Sequence, residues 1–402
     1  MISRYRSLLI KLFSEVQRIH SDPFRFASEY LKLQEILITR ITYVERQIRQ
    51  RKTDIKALKR LLGSKTSGLN KSSSQIAKSR VTHYHAQIDE YQELLTILRW
   101  VGDALAFSFI DRWDIKPLGL KKESAGFLSG KKGARRERRI LRALFSYGFI
   151  AILNDLTNCL RYGDITVLDR NGRYHIAEVK SKKKLSERVE RQMTEAEHIL
   201  EYLSSDHTDR LYGLQANVQR VSAHAQPDYH TSQINEVIAD ALARGNSYRE
   251  VESGLYYFAT TGFDPEVVRQ ISQQCKGKMI AALVEPQAYS ELVYYPLTLS
   301  LNNPEALYLL CAGKLTIVVM VDSGVIKEKL EVNAISLEAI GEGEDYALSV
   351  RCLHPVDNQP VEMKVGNHLF QRVFAEFLSL DWIVQYIVSF MKIDAIAKMA
   401  AG

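Results

Sequence analysis

Acidic and basic side chains whose types and spacing could support metal-dependent chemistry lie in one short stretch, residues 163–180. Asp164 opens a first β-prone run, and Glu178 and Lys180 lie near the end of a second. Side chains two apart on a strand share a face, so Glu178 and Lys180 would point the same way. A carboxylate and an ammonium on a buried strand are costly to desolvate unless they coordinate something. Asp164 can supply a second carboxylate from the partner strand.

A β-hairpin is predicted to hold these residues. The first run, with Ile165 and Val167, is separated from the second, with Ile176 and Val179, by a turn at Arg170-Asn171-Gly172. An Asn-Gly pair between two β-prone runs is a strong local signal for a hairpin. The turn would therefore bring Asp164 opposite Glu178 and Lys180.

Asp164 followed by Glu178-Val179-Lys180 resembles the active-site signature of the PD-(D/E)xK superfamily, the restriction-endonuclease-like nucleases. The resemblance implies that Asp164 and Glu178 bind Mg²⁺, for which Mn²⁺ can substitute, and that Lys180 orients the attacking water. Mg²⁺ prefers oxygen ligands, polarises a phosphoryl group and lowers the pKa of bound water, which explains these residue types. Gly163 stands where the name-giving proline would be, a variation that the superfamily tolerates.

The elements on either side of the hairpin match the same pattern. Residues 135–145 are predicted to form a helix with apolar positions 140, 141, 144 and 145 on one face. The resemblance makes Glu137, on this helix, a candidate auxiliary ligand. A second helix, from about Leu185 to Leu203, would carry Gln192 where related nucleases often have a polar contact. Asp155 and Asn158 could touch a metal or a phosphate, although such residues more often make turns.

A Glu-x-Lys sequence by itself is common, and a surface strand with a salt-bridged pair is the alternative interpretation. The flanking helices favour the nuclease. The resemblance therefore implies an α/β fold with a restriction-endonuclease-like core, a mixed sheet flanked by helices, over residues 114–205.

Net charge is divided unevenly along the 402 residues, which carry a formal charge of +7. Residues 1–200 contain 39 Lys and Arg against 22 Asp and Glu, whereas the remainder contains 15 against 25. Such an excess suits binding to a polyanion, although it could also serve only to solubilise exposed helices. The candidate nucleic-acid contacts are the basic residues that flank the predicted site: Lys131, Lys132, Arg135, Arg136, Lys182, Lys183 and Lys184.

A helical coiled-coil hairpin is predicted for residues 1–113. Leu37, Ile41 and Val44 begin a heptad pattern on the first arm, and a second pattern runs from Ala77 to Phe109. Residues 63–74 form a polar loop between the arms, in which Ser72 to Ser74 can cap the second helix. The pair can pack within one chain or be completed by another. Coiled coils more often provide spacing or oligomerisation, so we assign no catalytic role to it.

The C-terminal region, residues 206–402, is predicted to be mixed α/β, and some of its strands could complete the nuclease sheet. Residues 207–240 read as largely helical, and residues 315–321 as a strong strand. Four scattered cysteines indicate a reducing compartment. The sequence shows neither a signal-peptide core nor an apolar run of membrane length, so a cytoplasmic protein without a membrane partner is expected.

The sequence as a whole favours a Mg²⁺-dependent endonuclease acting on double-stranded DNA. One such site cuts one strand, and the coiled coil offers a route to a homo-oligomer. The architecture looks like that of bacterial genome-defence effectors of this superfamily, which suggests an anti-phage role. Two alternatives stay open: a non-catalytic nucleic-acid-binding or scaffold protein on the same fold, and an RNase.

Overall fold

The chain forms two compact units, Met1–Gln219 and Arg220–Gly402. The computed structural model describes residues 2–63, 70–119, 127–131, 133–179, 187–211, 214–220, 226–262, 265–284, 293–341, 346–353 and 358–401. The fold is mixed α/β, with a long helical region first and several small antiparallel sheets after it. In this respect the predicted fold class is confirmed.

Three helices make up the helical region of the N-terminal unit. A short 3-10 helix, Ile2–Tyr5, leads into α1 (Arg6–Ser21), which is followed by α2 (Ala27–Gly63) and α3 (Lys71–Phe107). The Tyr30 hydroxyl donates to the Leu105 carbonyl over 2.7 Å, and the Arg51 guanidinium lies 5.1 Å from the centre of the Tyr84 ring. These two pairs show that α2 and α3 run antiparallel within one chain, as the heptads predict.

The helix α1 was not predicted as a third partner of this hairpin. It buries Leu9, Leu12, Phe13, Val16 and Ile19 and packs on both α2 and α3. Its apolar positions follow a helical period and alternate with charged residues. Those charges argue against a signal-peptide core, but they are equally compatible with an amphipathic helix.

The second long helix also begins earlier than the serine run suggests. Asn70, rather than Ser72 to Ser74, is its N-cap, and the Asn70 side chain accepts a hydrogen bond from the Ser73 amide.

The rest of the N-terminal unit contains the predicted hairpin and its flanking helices. In chain order it comprises α4 (Ile115–Gly119), α5 (Ala134–Ser146), β1 (Ile150–Leu153), a 3-10 helix (Asn154–Leu156), β2 (Ile165–Leu168), β3 (Tyr174–Ala177), α6 (Glu187–Ser205), β4 (His207–Leu211) and β5 (Leu214–Gln219). The strands β1, β2 and β3 form one antiparallel sheet in that order, and β4 pairs with β5. All strand pairs between described residues are antiparallel, so the expected mixed sheet is not seen among them. The helical prediction was wrong for residues 207–211 and 214–219.

The turn between β2 and β3 forms as its residue types require. Asp169 accepts hydrogen bonds from the amides of Asn171 and Arg173 through its side chain, and its own amide donates to the Arg173 carbonyl. Gly172 has a φ of +76°, a conformation that glycine adopts without steric cost. This is a three-residue loop with glycine in the left-handed position, and it sets the register in which Ile165 faces Ala177.

The helix α2 is joined to the sheet through the buried side chain of Gln34. Its Nε2 donates to the Ala151 carbonyl over 2.9 Å, and its Oε1 accepts from the Leu153 amide over 3.1 Å. One amide group therefore pairs with two backbone groups of β1, on the side of that strand away from β2. The helical hairpin and the sheet consequently belong to one packed structure.

The described strands of the C-terminal unit form two antiparallel sheets. Its elements are α7 (Thr231–Arg244), β6 (Asn246–Glu252), β7 (Leu255–Thr260), α8 (Pro265–Gln274), β8 (Met279–Leu283), α9 (Leu297–Ser300), α10 (Pro304–Cys311), β9 (Thr316–Asp322), α11 (Ser323–Glu331), β10 (Ser336–Ile340), β11 (Tyr346–Leu353), β12 (Pro360–Gly366), α12 (Asn367–Ala375) and α13 (Leu380–Ala401). The strand orders are β6-β7-β9-β8 and β10-β11-β12. The strong strand predicted at residues 315–321 is β9, which lies inside the first sheet.

A buried ion pair joins α12 to the turn that follows it. Arg372 and Glu376 are each only 1% exposed, and Arg372 Nη1 lies 2.8 Å from Glu376 Oε2. The other oxygen of Glu376 accepts a hydrogen bond from the Tyr295 amide. Charges this deeply buried require compensation, so the two residues depend on each other.

A second polar contact connects α7, β6 and the start of α13. His230 Nε2 lies 2.7 Å from Glu252 Oε2, which also accepts a hydrogen bond from the Ser379 hydroxyl. The hydrogen bond to Glu252 raises the pKa of His230 despite its burial, and Asp228 and Asp381 act in the same direction. Asp381 is itself paired with Lys329.

This contact predicts a pH dependence for the stability of the C-terminal unit. Because the pKa of His230 is raised on folding, its contribution is complete below the unfolded value of about 6.5 and is lost as pH rises through the folded value. We expect the free energy of unfolding of this unit to fall by roughly 1–2 kcal/mol over that rise. Hydrogen exchange of its peptides in urea, repeated across pH, measures the change.

His230→Gln keeps a donor toward Glu252 but cannot titrate, so this limb of the pH profile should flatten. His85→Gln, at an exposed position on α3, is the control and should leave the profile as it is. An unchanged slope in His230→Gln would show that another group is responsible.

Candidate functional site

Asp164 lies at the open end of the β2–β3 hairpin, held by its backbone on both sides. Its amide donates to the Ala177 carbonyl over 2.9 Å, and its carbonyl accepts from the Asn154 amide over 3.0 Å. These bonds extend the sheet by one residue beyond Ile165. The carboxylate is only 15% exposed, so its oxygens need partners within the protein or from a ligand.

Three carboxylates from three separate elements converge at this point, and we call Glu137, Asp155 and Asp164 the carboxylate cluster. Lys131 Nζ lies 2.8 Å from Asp155 Oδ2, 2.8 Å from Asp164 Oδ1 and 3.0 Å from Glu137 Oε1. One ammonium therefore sits at the centre of three negative charges. The resemblance implies Asp164 as a metal ligand and Glu137 as an auxiliary ligand, and the structure brings the two carboxylates together around Lys131.

Two residues of this arrangement, Lys131 and Asp155, are not among the predicted catalytic residues or metal ligands, although a metal or phosphate contact was considered for Asp155. Lys131 is predicted as a nucleic-acid contact, yet its ammonium is directed into the cluster. Asp155 follows the buried Asn154, whose Nδ2 donates to the Tyr162 carbonyl and whose Oδ1 accepts from the Thr166 hydroxyl. The available signal was an acidic residue two positions after the end of an apolar strand, which turn formation explains equally well.

The neighbouring Asn158 has a different role from the metal or phosphate contact considered for it. Its amide and side chain both donate to the buried carboxylate of Asp103 on α3, over 2.6 and 2.9 Å. Burial raises the pKa of Asp103, opposed by these hydrogen bonds. Asn158 thus fastens the loop after Asp155 to the helical hairpin.

The helical hairpin also holds the segment that carries Lys131. The buried carboxylate of Glu45 on α2 accepts hydrogen bonds from the amides of Leu128 and Ser129 and pairs with Arg99 on α3. Arg49 donates to the Ser129 carbonyl over 3.0 Å. No catalytic role is assigned to the hairpin from its sequence, but its polar residues position Lys131 two residues further on.

Glu137 reaches the cluster from the first turn of α5, where a glycine leaves room for it. A Cβ atom on Gly133 would lie 2.8 Å from Glu137 Oε1. Burial raises the pKa of Glu137, with Asp164 and Asp155 adding to the effect and Lys131 opposing it. Burial also disfavours the charged form of Lys131, but the carboxylates of Asp155 and Asp164 outweigh it and raise its pKa.

Glu178 and Val179 lie just beyond β3, which ends at Ala177, rather than within the strand. The Val179 amide donates to Asp164 Oδ2 over 2.8 Å, so the second half of the predicted motif is in direct contact with the first. Glu178 is half-buried. Lys180 lies outside the described residues.

Gly163, which stands where the PD-(D/E)xK motif has proline, has a backbone conformation that excludes proline. Its φ is +69°, and a Cβ atom there would lie 2.5 Å from Ile176 Cγ2. Proline is fixed near a φ of −65° and cannot adopt this conformation. The chain therefore needs glycine to turn from the loop into the position of Asp164.

The structure describes only some of the residues predicted to contact nucleic acid. Arg135 and Arg136 are exposed on α5, on the helix that also carries Glu137. Lys132, Lys182, Lys183 and Lys184 lie outside the described residues. Gln192 is on α6, and its side chain is not among those described.

Within the described part of the chain, no three His, Cys, Asp or Glu side chains form a group placed to hold a metal ion. In the carboxylate cluster, the Lys131 ammonium lies within 3.0 Å of one oxygen of each of the three carboxylates. In the same part of the chain, none of the helices combines the length and the apolar character needed to cross a membrane.

Replacing Lys131 by methionine tests what the ammonium does. Three partly buried carboxylates would lose their shared cation, so we expect the free energy of unfolding in EDTA to fall by about 2 kcal/mol. Ca²⁺ should then stabilise Lys131→Met more than the wild type, because no ammonium has to be displaced. Thermal unfolding in EDTA and in Ca²⁺ measures both effects.

Lys314→Met, which removes an exposed lysine, is the matched control and should behave like the wild type in both conditions. Equal stability of Lys131→Met and wild type in EDTA would show that the ion contacts contribute nothing. A variant that is destabilised but gains nothing from Ca²⁺ would argue against a cation site.

Comparison with known proteins gives no relative: no family model, no curated protein and no solved structure matches the chain.

Proposed function

We propose that this protein is a metal-dependent phosphodiesterase that cuts DNA, built on a restriction-endonuclease-like core. The observation that carries the proposal is the carboxylate cluster at the end of the hairpin, with the Val179 amide bound to Asp164. The order of helix α5, strands β1 to β3 and helix α6 agrees with the pattern on which the resemblance rests. A role in bacterial genome defence is a further proposal, based on that resemblance alone.

The chemistry of the donor set fits Mg²⁺ or Mn²⁺. Carboxylate oxygens are the ligands that hard divalent cations prefer, and a cation, Lys131, already lies within 3.0 Å of three of them. Asp164 and Glu178 would hold the metal, and Glu137 or Asp155 could add a ligand. The metal would supply Lewis-acid activation of a phosphodiester and of water. Lys131 would have to withdraw, which makes metal binding competitive with an internal cation.

The remaining groups have roles that follow from their positions. Asn154 and Gly163 fix the backbone at Asp164. Glu45 accepts a hydrogen bond from the Ser129 amide and so positions the backbone segment that carries Lys131. Lys180 would orient the attacking water, as the motif implies. A single cluster cuts one strand, so cleavage of a duplex requires a second protomer or a second event.

A non-catalytic nucleic-acid-binding protein is the second candidate, and one observation favours it. The Lys131 ammonium neutralises the cluster, and a site kept closed in this way would have lost its metal while retaining the fold. Binding would then be sensitive to salt but independent of Mg²⁺.

The test is a cleavage assay with the full chain on linear, circular and single-stranded DNA and on RNA, in Mg²⁺, Mn²⁺ or EDTA. Lys180→Ala is run beside Lys314→Ala, which removes an exposed lysine of the C-terminal unit. We expect cutting that requires the metal, is lost in Lys180→Ala and persists in Lys314→Ala, while Lys180→Ala still binds DNA. Cleavage of RNA alone would identify an RNase. Intact substrates that remain bound with or without metal would support the non-catalytic candidate instead.

A further inference from the structure

The far end of the α2–α3 hairpin carries an unusual concentration of positive charge. We call residues 50–63 of α2 and 71–85 of α3 the distal arm. It contains eight Lys and Arg residues and a single acidic residue, Asp54. The rest of the same two helices mixes both signs, with Glu35 and Glu45 on α2 and Asp89, Glu90 and Glu93 on α3. The net excess of positive charge therefore lies at one end of the hairpin.

The single carboxylate of the distal arm is already neutralised. Asp54 Oδ2 lies 3.1 Å from Arg51 Nη1, and Arg51 also lies over the Tyr84 ring. The seven other cations are all exposed, and none forms an ion pair within the part of the chain that the structure describes. They are Lys52, Lys56, Lys59 and Arg60 on α2, and Lys71, Lys78 and Arg80 on α3. Their charges are available to a partner in solution.

The spacing of these cations lowers the stability of the helices that carry them. Lys52, Lys56 and Lys59 follow steps of four and three, which place them along one face of α2. Like charges four residues apart destabilise a helix by roughly 0.2–0.5 kcal/mol per pair. Few apolar contacts hold the two helices together here, since Ile55 and Ala77 are the only buried apolar residues of the described distal arm. A surface selected only for solubility would mix both signs and avoid this cost.

The apolar surface of the distal arm is too small for a membrane partner. An interfacial helix needs a continuous apolar face to insert below the headgroups. Leu61 and Ile76 are the large hydrophobic side chains exposed on the described arm, one on each helix. A rigid positive rod without an apolar face suits a polyanion instead. Fourteen residues of helix span about 21 Å, and duplex DNA presents one charge per ~1.7 Å over such a length.

We propose that the distal arm binds the phosphate backbone of a nucleic-acid duplex, independently of base sequence. The proposal deepens the proposed function, on whose substrate class it rests, by adding a second contact surface remote in sequence from the carboxylate cluster. Lys52, Lys56 and Lys59 contact phosphates from α2, and Lys71 and Lys78 do so from α3. The arm thereby sets how firmly the duplex is held, while the cluster acts on a single bond.

The test measures binding in EDTA, so that cleavage plays no part. A fluorescently labelled 24-base-pair duplex, a single strand and an RNA duplex are titrated with the full chain across a series of salt concentrations, about 50 to 200 mM. The variant carries Lys52→Gln, Lys56→Gln and Lys59→Gln. The matched control carries Lys32→Gln, Lys278→Gln and Lys314→Gln, which remove three exposed lysines elsewhere and change the net charge equally.

We expect the arm variant to bind the duplex at least tenfold more weakly, with a salt dependence reduced by about three in slope. The control should bind like the wild type. Circular dichroism should show full helix content in the arm variant, because like-charge repulsion has been removed. Wild-type affinity and an unchanged slope in the arm variant would overturn the proposal, as would binding to the single strand alone.

The outcome separates this proposal from the proposed function. If no metal-dependent cleavage is found, loss of duplex binding in the arm variant still establishes the surface. If cleavage is found but the arm variant retains wild-type affinity, the nuclease stands and the arm proposal fails.

Discussion

Asp164→Asn is expected to lower the rate of metal-dependent DNA cleavage at least about 10³-fold, equivalent to roughly 4 kcal/mol. Asp164 is the member of the carboxylate cluster that also contacts the motif residue Val179. Asparagine has nearly the same shape, and its carbonyl can still accept from the Val179 amide. It removes the negative charge that a divalent cation requires, so transition-state stabilisation is lost while the fold is kept.

Initial rates of cleavage in Mg²⁺ under single-turnover conditions measure this effect. Asp209→Asn, at an exposed position of β4, is the control and should retain the wild-type rate. Duplex binding in EDTA should survive in Asp164→Asn, because the distal arm is untouched. A cleavage rate of Asp164→Asn within tenfold of the wild-type rate would show that Asp164 has no catalytic role. The main support for the proposed function would then be lost.

Glu376→Gln is expected to lower the free energy of unfolding of the C-terminal unit by about 3–5 kcal/mol. Arg372 is 1% exposed and pairs with Glu376 at 2.8 Å. Glutamine keeps an acceptor for the Tyr295 amide but removes the carboxylate charge that faces the buried guanidinium. Urea unfolding, followed by hydrogen exchange of peptides from this unit, measures the loss.

The control is Glu328→Gln, which breaks the exposed pair between Lys276 and Glu328. Those side chains are 59% and 53% exposed, and such pairs contribute about 1 kcal/mol or less. The double variant Arg372→Met, Glu376→Gln removes both charges and should recover most of the stability. If Glu376→Gln costs no more than Glu328→Gln, the buried pair is not a stabilising element of this unit.

Local patterns in the sequence predict the elements that carry the candidate site. The Asn171-Gly172 turn and the alternating runs predict the hairpin, and the apolar stripe of residues 140–145 predicts α5. In each case the determinant is short-ranged: a backbone conformation that glycine permits, or a helical period of apolar residues. Asp164, Glu178 and Glu137 could be singled out because the motif of the resemblance places them on or directly beside these predictable elements.

The cation at the centre of the site could not be predicted in this way. Lys131 is one of several basic residues before α5, and nothing in that run distinguishes it. Its position depends on hydrogen bonds that the amides of Leu128 and Ser129 donate to the carboxylate of Glu45, more than eighty residues earlier. Asp155 likewise depends on the backbone contacts of Asn154. Long-range contacts of buried polar groups select these residues, and they leave no periodic signature.

The secondary structure of residues 206–402 could be predicted only in part, for a related reason. The continuous apolar run of β9 is recognisable because a central strand is buried on both faces. Residues 207–211 and 214–219 are strands although they read as helical, since short edge pairs owe their form to their partners rather than to their composition. Phe377, with a φ of +59°, lies in the short segment that separates α12 from α13.

Gln34 has a consequence for self-association. The outer edge of β1 presents backbone donors and acceptors in a strand of four apolar, buried residues, Ile150 to Leu153. Such an edge is a template on which a second chain can add a strand and begin to aggregate. The Gln34 side chain forms hydrogen bonds with the Ala151 carbonyl and the Leu153 amide. Because Gln34 belongs to a helix, these bonds do not continue the sheet. The helical hairpin therefore also protects the edge of β1 from pairing with a second chain. This protection allows the sheet to end at β1 although that strand contains no charged residue.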